Sequence, residues 1–246
     1  MTSQSPDAQS PDAQSPELPT NSILGRGIRT FKPRRSRMTQ SQRATLASNP
    51  PALQPFVTAP MRQAWDWPPP DTQLFLDIGC GNGVSTIALA EQHPDHAFLA
   101  VDIHTPGLGD LLGEISNRTV TNIRVVETDS IALLEHMVED NSISGVFTLF
   151  PDPWPKARHH KRRIVQPAIV ELMYQRLVPG GFWHIATDWQ EYADSIADIF
   201  ASPVESTRWS GGTVPRPARP VTHYEKRALR EGRDVTDFRF YKMPVD

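Results

Sequence analysis

Residues 74–92, "LFLDIGCGNGVSTIALAEQ", change character twice. "LFLDI" (74–78) is apolar except for Asp77 and has the length of a buried strand. Gly79, Gly81 and Gly83 then mark a turn whose backbone a Cβ would restrict. "STIALAEQ" (85–92) reads as a helix. The alternation continues along the chain. "AFLAVDI" (97–103), "IRVVET" (123–128), "SGVFTLF" (144–150) and "FWHIAT" (182–187) read as strands, and "DFRFYKM" (237–243) as a closing edge strand. Between them "GLGDLLGEISN" (107–117), "SIALLEHMV" (130–138), "VQPAIVELMYQRLV" (165–178) and "EYADSIADIF" (191–200) read as helices, the third stopped by Pro179, Gly180 and Gly181. This order predicts an α/β, doubly wound, mostly parallel sheet covered on both faces. Ligands of such sheets bind beyond the carboxyl ends of the strands, so the residues that follow each strand carry the functional reading.

The chain has 246 residues, 38% apolar and 22% charged, which suits one domain plus unstructured length. No run approaches the roughly 18 apolar residues of a membrane span, and the start lacks a secretory signal, so a cytoplasmic protein with no membrane partner is expected. The single cysteine, Cys80, excludes an internal disulfide and a thiolate zinc site. No metal and no redox role are expected. The formal charge of −3 averages unlike regions. Residues 1–25 hold Asp7, Asp12 and Glu17 and no cation, whereas Arg26 to Arg43 and Lys156 to Arg163 hold cations and no acid. The opening SPDAQ repeats cannot bury enough apolar surface to order themselves. Residues 1–45, repeats and basic arm together, are expected to be a disordered tail, and residues 46–246 the folded domain.

The turn spacing is G-x-G-x-G, and Val84 stands where a dinucleotide site carries its third glycine. Asp77, at the strand end, would repel a pyrophosphate and attract a cation. Asp102 ends the second strand, nineteen residues after Gly83, where a carboxylate accepts from ribose hydroxyls. Asp129 follows the third strand. Any one of these acids alone reads as a helix cap or a solvated residue. All three together favour S-adenosylmethionine, which has ribose, adenine, ammonium and sulfonium but no phosphate.

Asp152 follows the fourth strand in "FPDPWPKARHHKRR" (150–163). Pro151 and Pro153 restrict its backbone, which suits a positioned active-site group. Lys156, Arg158, Lys161, Arg162 and Arg163 then form a basic rim to which a polyanionic substrate would be drawn. Trp154 and Trp189 read as core packing rather than as base-stacking platforms.

The segment 150–163 resembles the signature of the bacterial tRNA (guanine-N7-)-methyltransferases, which methylate guanosine 46 in the variable loop. The resemblance continues through "LDIGCGNG", "AVDIHTPGLG", "ATDWQEYA" (186–193) and "RPVTHYEKRALREG" (219–232), covering roughly residues 70–242 in order. It implies a class I methyltransferase fold with a seven-stranded Rossmann-like sheet, S-adenosyl-L-methionine as donor and tRNA as partner of a monomer or weak homodimer. By the same resemblance Asp77, Gly79, Gly81, Gly83, Asp102, Asp129 and Asp152 bind the cofactor, and Asp152 is also catalytic. Lys156, Asp188, Thr222, His223, Tyr224 and Glu225 bind substrate, and Arg158, His159, His160, Lys161, Arg162 and Arg163 contact RNA. The family more often carries Glu where this chain has Asp77 and Asp102, and commonly His at the position of Pro155. "IRTFKPRRSRMTQSQR" (28–43) resembles the family's N-terminal arm; the SPDAQ repeats do not. A small-molecule methyltransferase and an idle RNA-binding module are the rival readings.

Overall fold

The computed structural model describes residues 23–24, 29–31 and 37–244, so the expectation of disorder in the SPDAQ repeats lies outside the described residues. In chain order the elements are α1 (Gln40–Ala47), β1 (Leu53–Gln54), α2 (Met61–Trp65), β2 (Leu74–Ile78), α3 (Val84–Gln92), β3 (Ala97–Asp102), α4 (Thr105–Arg118), β4 (Ile123–Glu127), α5 (Ser130–His136) and β5 (Ile143–Leu149). A 3-10 turn (Ala157–Arg162) leads to α6 (Pro167–Arg176), β6 (Leu177–Thr187), α7 (Gln190–Phe200), β7 (Trp209–Val214), α8 (His223–Arg230) and β8 (Thr236–Lys242).

The strands form one sheet in the order β1-β4-β3-β2-β5-β6-β8-β7. All neighbours are parallel except β8, which runs antiparallel to both β6 and β7. The chain steps outward from β2 through β3 to β4 and then returns to lay β5 against the other side of β2. The strand order therefore reverses between β2 and β5, which puts the ligand crevice of a doubly wound sheet there. Ile78 of β2 pairs with Thr148 of β5, so the glycine turn and the Asp152 loop leave the sheet side by side.

Burial on both faces explains the uninterrupted apolar runs of the central strands. Leu76, Leu99, Val101, Val146 and Ile185 pack with α5, α6 and α7 in the larger core, while Ala100, Ile123 and Val125 pack with α3 and α4 in the smaller one. Gly83 shows how tightly the second layer closes on the loop. A Cβ on it would lie 2.2 Å from Cδ1 of the fully buried Leu111 on α4, and its φ of +70° is left-handed.

Four expectations need correction. Among the described residues the sheet has eight strands, not seven, because the two-residue β1 extends it beyond β4. Residues 237–243 are not an edge strand, since β7 pairs along β8 and takes the edge itself. Residues 40–45, assigned to the tail, form most of α1, which is started by a capping box between Thr39 and Gln42 and rests on α4, with Gln42 Nε2 donating to Asp110 at 2.9 Å. The third predicted helix also stops earlier, at Arg176, and β6 runs through Pro179, Gly180 and Gly181.

Gly83→Ala combines a left-handed φ with a clash in a packed core and is expected to lower unfolding free energy by about 2–3 kcal/mol. Gly81→Ala, whose φ is +58° but whose Cβ meets nothing within 4 Å, is expected to cost only about 1 kcal/mol. Urea denaturation of both variants checks the ranking.

Candidate functional site

The glycine turn is shaped by backbone bonds to β3. Gly79 and Cys80 donate to the Val101 carbonyl at 2.9 and 3.3 Å, and all three glycines have left-handed φ. Asp102 then fixes the turn from the side. One carboxylate oxygen accepts from Gly81 N–H at 2.8 Å, and the other accepts from Ile103 and His104 N–H at 2.7 and 2.9 Å. A carboxylate has about four acceptor positions, so capacity remains for one further donor.

Asp77 is buried and accepts from the Thr86 hydroxyl at 2.5 Å. Burial pushes its carboxyl up to about 6; the Thr86 bond opposes this, and the nearby Asp102 charge adds to it. Burial and the same two carboxylates hold the Cys80 thiol well above its ordinary value, which suppresses the thiolate needed for redox chemistry. Asp129 is buried as the N-cap of α5, accepting from Ile131 N–H at 2.8 Å. Burial raises its carboxyl, with the Ile131 and Ala132 amides and Arg29 opposing. Asp77, Asp102, Asp129 and Asp152 thus sit at or beyond the carboxyl ends of β2, β3, β4 and β5, four strands adjacent in the sheet. At about 4.8 Å between strands the row spans roughly 14 Å. Four carboxylates in a row, two of them (Asp77 and Asp129) raised by burial, favour a ligand carrying positive charge. A separate groove of about 580 Å³, on the outer side of the turn between α1, α3 and α4, includes none of the four acids.

The Asp152 loop is held in an unusual shape. Phe150 and Trp154, two residues to either side, have φ of +56° and +46°. Left-handed backbone costs a bulky residue about 1–2 kcal/mol, and such conformations persist only where the surroundings impose them. Phe150 N–H donates to the Ala186 carbonyl at 2.8 Å, prolonging the β5–β6 ladder. Trp154 is buried, as expected, and donates its indole N–H to the Thr30 carbonyl at 3.2 Å. Arg163 Nε donates to the Pro153 carbonyl at 2.9 Å, a charged hydrogen bond of about 1.5–3 kcal/mol that offsets the strain.

The basic run divides. Lys156, Arg158 and Lys161 are exposed and have no carboxylate partner among the described residues. Arg162 instead lies 3.8 Å over the Trp154 ring and donates to the carbonyls of Arg29 and Phe31 at 2.8 and 2.9 Å, so it ties the N-terminal arm to the loop. Arg163, expected to contact RNA, has only 3% of its side chain exposed and is ion-paired to Glu191. Desolvation and the cations Arg158, Arg162, Lys156 and Lys161 push His159 below the usual imidazole range, which keeps it neutral near pH 7. His160 lies 3.9 Å from Glu191.

Asp188 follows β6 and pairs with Arg233 at 2.7 Å. Thr222 caps α8, its hydroxyl accepting from Glu225 N–H at 3.1 Å, and His223 and Tyr224 are exposed on the first turn. Glu225 is not presented to an open surface. Arg216 and Arg219 each pair with it at 2.5 Å, and Arg219 continues to Asp237, which meets His184 at 2.8 Å. Burial alone would raise the Glu225 carboxyl, but the two guanidiniums outweigh it and hold it low. Thr86, Glu191, Arg216, Arg219 and Arg233 are the site-shaping residues that sequence reasoning missed. The motif 219–232 already contained Arg219 and stopped one residue short of Arg233, and no spacing rule pairs a loop arginine with a helix glutamate. Among the described residues no helix is long and apolar enough to cross a membrane. No group of three or more His, Cys, Asp or Glu among them is placed to hold a metal ion.

A parallel sheet whose glycine turn faces carboxylates rather than cations is the arrangement of the class I methyltransferases, and fold and site assign the chain to that class. The family described as "Putative methyltransferase" matches residues 71–238. The tRNA (guanine-N(7)-)-methyltransferase of Paraburkholderia xenovorans is 39% identical over 227 residues, 91% of this chain and 86% of its own length. That of Streptomyces avermitilis is 41% identical over 235 residues, 92% of this chain and 79% of its own. An rRNA methylase structure from Streptococcus thermophilus superposes on 71% of this chain and 89% of its own with a TM-score of 0.49 at 16% identity. The chain belongs to the tRNA (guanine-N(7)-)-methyltransferase family.

The raised carboxyl of Asp77 gives a sign that can be measured. Between about pH 4 and 6 the folded state holds a proton that the unfolded state has released, so this stabilising contribution declines as pH rises and is gone above about 6. Relative to wild type, Asp77→Asn is expected to gain up to about 3 kcal/mol of stability between pH 4 and pH 7, read by urea denaturation across that range. A pH-independent difference would contradict the assignment.

Proposed function

We propose that the protein transfers a methyl group from S-adenosyl-L-methionine to N7 of guanosine 46 in the variable loop of tRNA. The observation that supports this most is the Ile78–Thr148 pairing, which sets the glycine turn beside the Asp152 loop. The residues fit that donor. Gly79 and Gly81 leave open space where a Cβ would stand, and the row of carboxylates suits a cationic nucleoside without phosphate. Asp77, Asp102, Asp129 and Asp152 would hold it, and when bound it supplies an electrophilic methyl group on a sulfonium.

Guanine N7 carries a lone pair and no proton, so the chain need not abstract one. Its work is positioning and charge. Holding the base at near-attack distance can supply several of the roughly 7–11 kcal/mol available from proximity. Asp152, restrained between two prolines, is assigned to stabilise the positive charge that develops on the purine. Asp188 is assigned to accept from the guanine N1–H edge, with Lys156, Thr222, His223 and Tyr224 around the substrate. Glu225, locked between two arginines, shapes the start of α8 rather than offering an open acceptor. Arg158 and Lys161 take backbone phosphates, and Arg162 secures the arm.

Incubation with labelled S-adenosylmethionine and unmodified tRNA, followed by cleavage at N7-methylguanosine, tests the reading. Label at position 46 is expected; label only in small acceptors, or tRNA binding without label, would overturn it. Asp152→Ala is expected to lose at least about 100-fold in kcat with tRNA affinity little changed. The double variant Arg158→Ala/Lys161→Ala is expected to flatten the slope of log K against log salt by about 1.5, at roughly 0.7–0.9 per phosphate contact. An unaltered slope would assign those cations to plain solvation.

A further inference from the structure

We infer that Arg163 is a positioning residue for methyl transfer, a clamp that sets Asp152 against Asp188, and not an RNA contact. The inference rests on the functional reading above. Arg163 closes the basic run, yet its side chain is 3% exposed and its nitrogens Nε, Nη1 and Nη2 all have partners inside the protein. Nε donates to the Pro153 carbonyl at 2.9 Å, next to Asp152. Nη1 donates to Glu191 at 3.1 Å and Nη2 pairs with the other oxygen of the same carboxylate. The guanidinium carbon lies 4.7 Å over the Tyr192 ring. Tyr192 is fully buried, and its hydroxyl accepts from Val165 N–H at 3.0 Å, so the chain on the far side of Arg163 is anchored to the same residue.

Glu191 and Tyr192 occupy the first turn of α7, three and four residues after Asp188. One side chain therefore joins the peptide beside the proposed catalytic acid to the helix that begins beside the proposed substrate acid. The bond to Pro153 also has a conformational consequence. The carbonyl it holds belongs to the peptide leading into Trp154, whose φ is +46°. Rotation of that peptide would relax Trp154 toward ordinary φ and free the loop that carries Asp152 from its fixed path. A planar fork with a third donor on its stem meets a carboxylate and a carbonyl at once, which the point charge of lysine cannot do. A displacement near 1 Å in such a site costs up to about 100-fold in rate.

The test compares Arg163→Lys, Glu191→Gln and wild type in single-turnover transfer at saturating S-adenosylmethionine, with tRNA affinity measured across salt. Arg163→Lys keeps the charge and is expected to lose roughly 10–100-fold in rate at saturating tRNA. Its tRNA affinity and salt slope are expected to match wild type. Glu191→Gln, at a half-exposed partner whose loss leaves the core intact, is expected to lose rate in the same direction, and the double variant less than the product of the two. A rate within two-fold of wild type, or a slope shallower by roughly 0.7–0.9 as for one lost phosphate contact, overturns the inference. If circular dichroism shows Arg163→Lys unfolded, Glu191→Gln decides by the same two readouts. The functional reading fails separately: it falls if wild type leaves guanine N7 unmethylated or Asp152→Ala keeps the wild-type rate, whatever Arg163→Lys does.

Discussion

The lateral pairing of β2 with β5 is the constraint on which the rest of the molecule depends. These strands are separated in sequence by two strand and helix units, yet Phe75 to Ile78 run in register with Gly145 to Thr148. A slip of either strand by one residue would turn its side chains, Leu76 or Val146 among them, from the larger core into the differently shaped smaller one, so packing fixes the register. The register in turn fixes which loops meet. A turn with three left-handed glycines and a loop bent around two left-handed aromatics emerge at adjacent strand ends, and neither would be a site without the other.

Charge is sorted by depth around that junction. Carboxylates sit at the strand ends, where burial raises two of them, Asp77 and Asp129, and so favours an incoming cation. Cations sit outside and divide by use: Lys156, Arg158 and Lys161 face solvent, while Arg162 and Arg163 turn inward to hold the arm and the loop. A donor that is positively charged and an acceptor that is a polyanion are thereby served by opposite signs a few residues apart. The buried network from His184 through Asp237 and Arg219 to Glu225 does the same structural work on the other flank, fixing the start of α8 to the sheet.

Much of this was legible in the sequence because a parallel sheet buried on both faces leaves unbroken apolar runs, and because glycines and aspartates at their ends stand out. What stayed hidden has a physical pattern. α1 has no buried residue, so no apolar period marked it, and its capping pair, Thr39 and Gln42, lies in the stretch read as tail. β7 contains Gly211 and Gly212, which weaken any strand pattern in the sequence, and it forms by pairing along β8. Arg163 looked like its neighbours because a cation's burial depends on partners, here Pro153 and Glu191, that no local window contains. The same holds for Glu225, whose motif was visible and whose enclosure by Arg216 and Arg219 was not.

Under the proposed function, donor and base meet where β2 and β5 end. A crystal structure with S-adenosylhomocysteine and guanosine monophosphate tests it most directly. The sulfur is expected between the Gly79–Gly81 backbone and Asp152, with the purine between Asp152 and Asp188. A nucleoside seated instead in the groove among Gln42, Asn82 and Asp110, or a purine remote from Asp152, would contradict it.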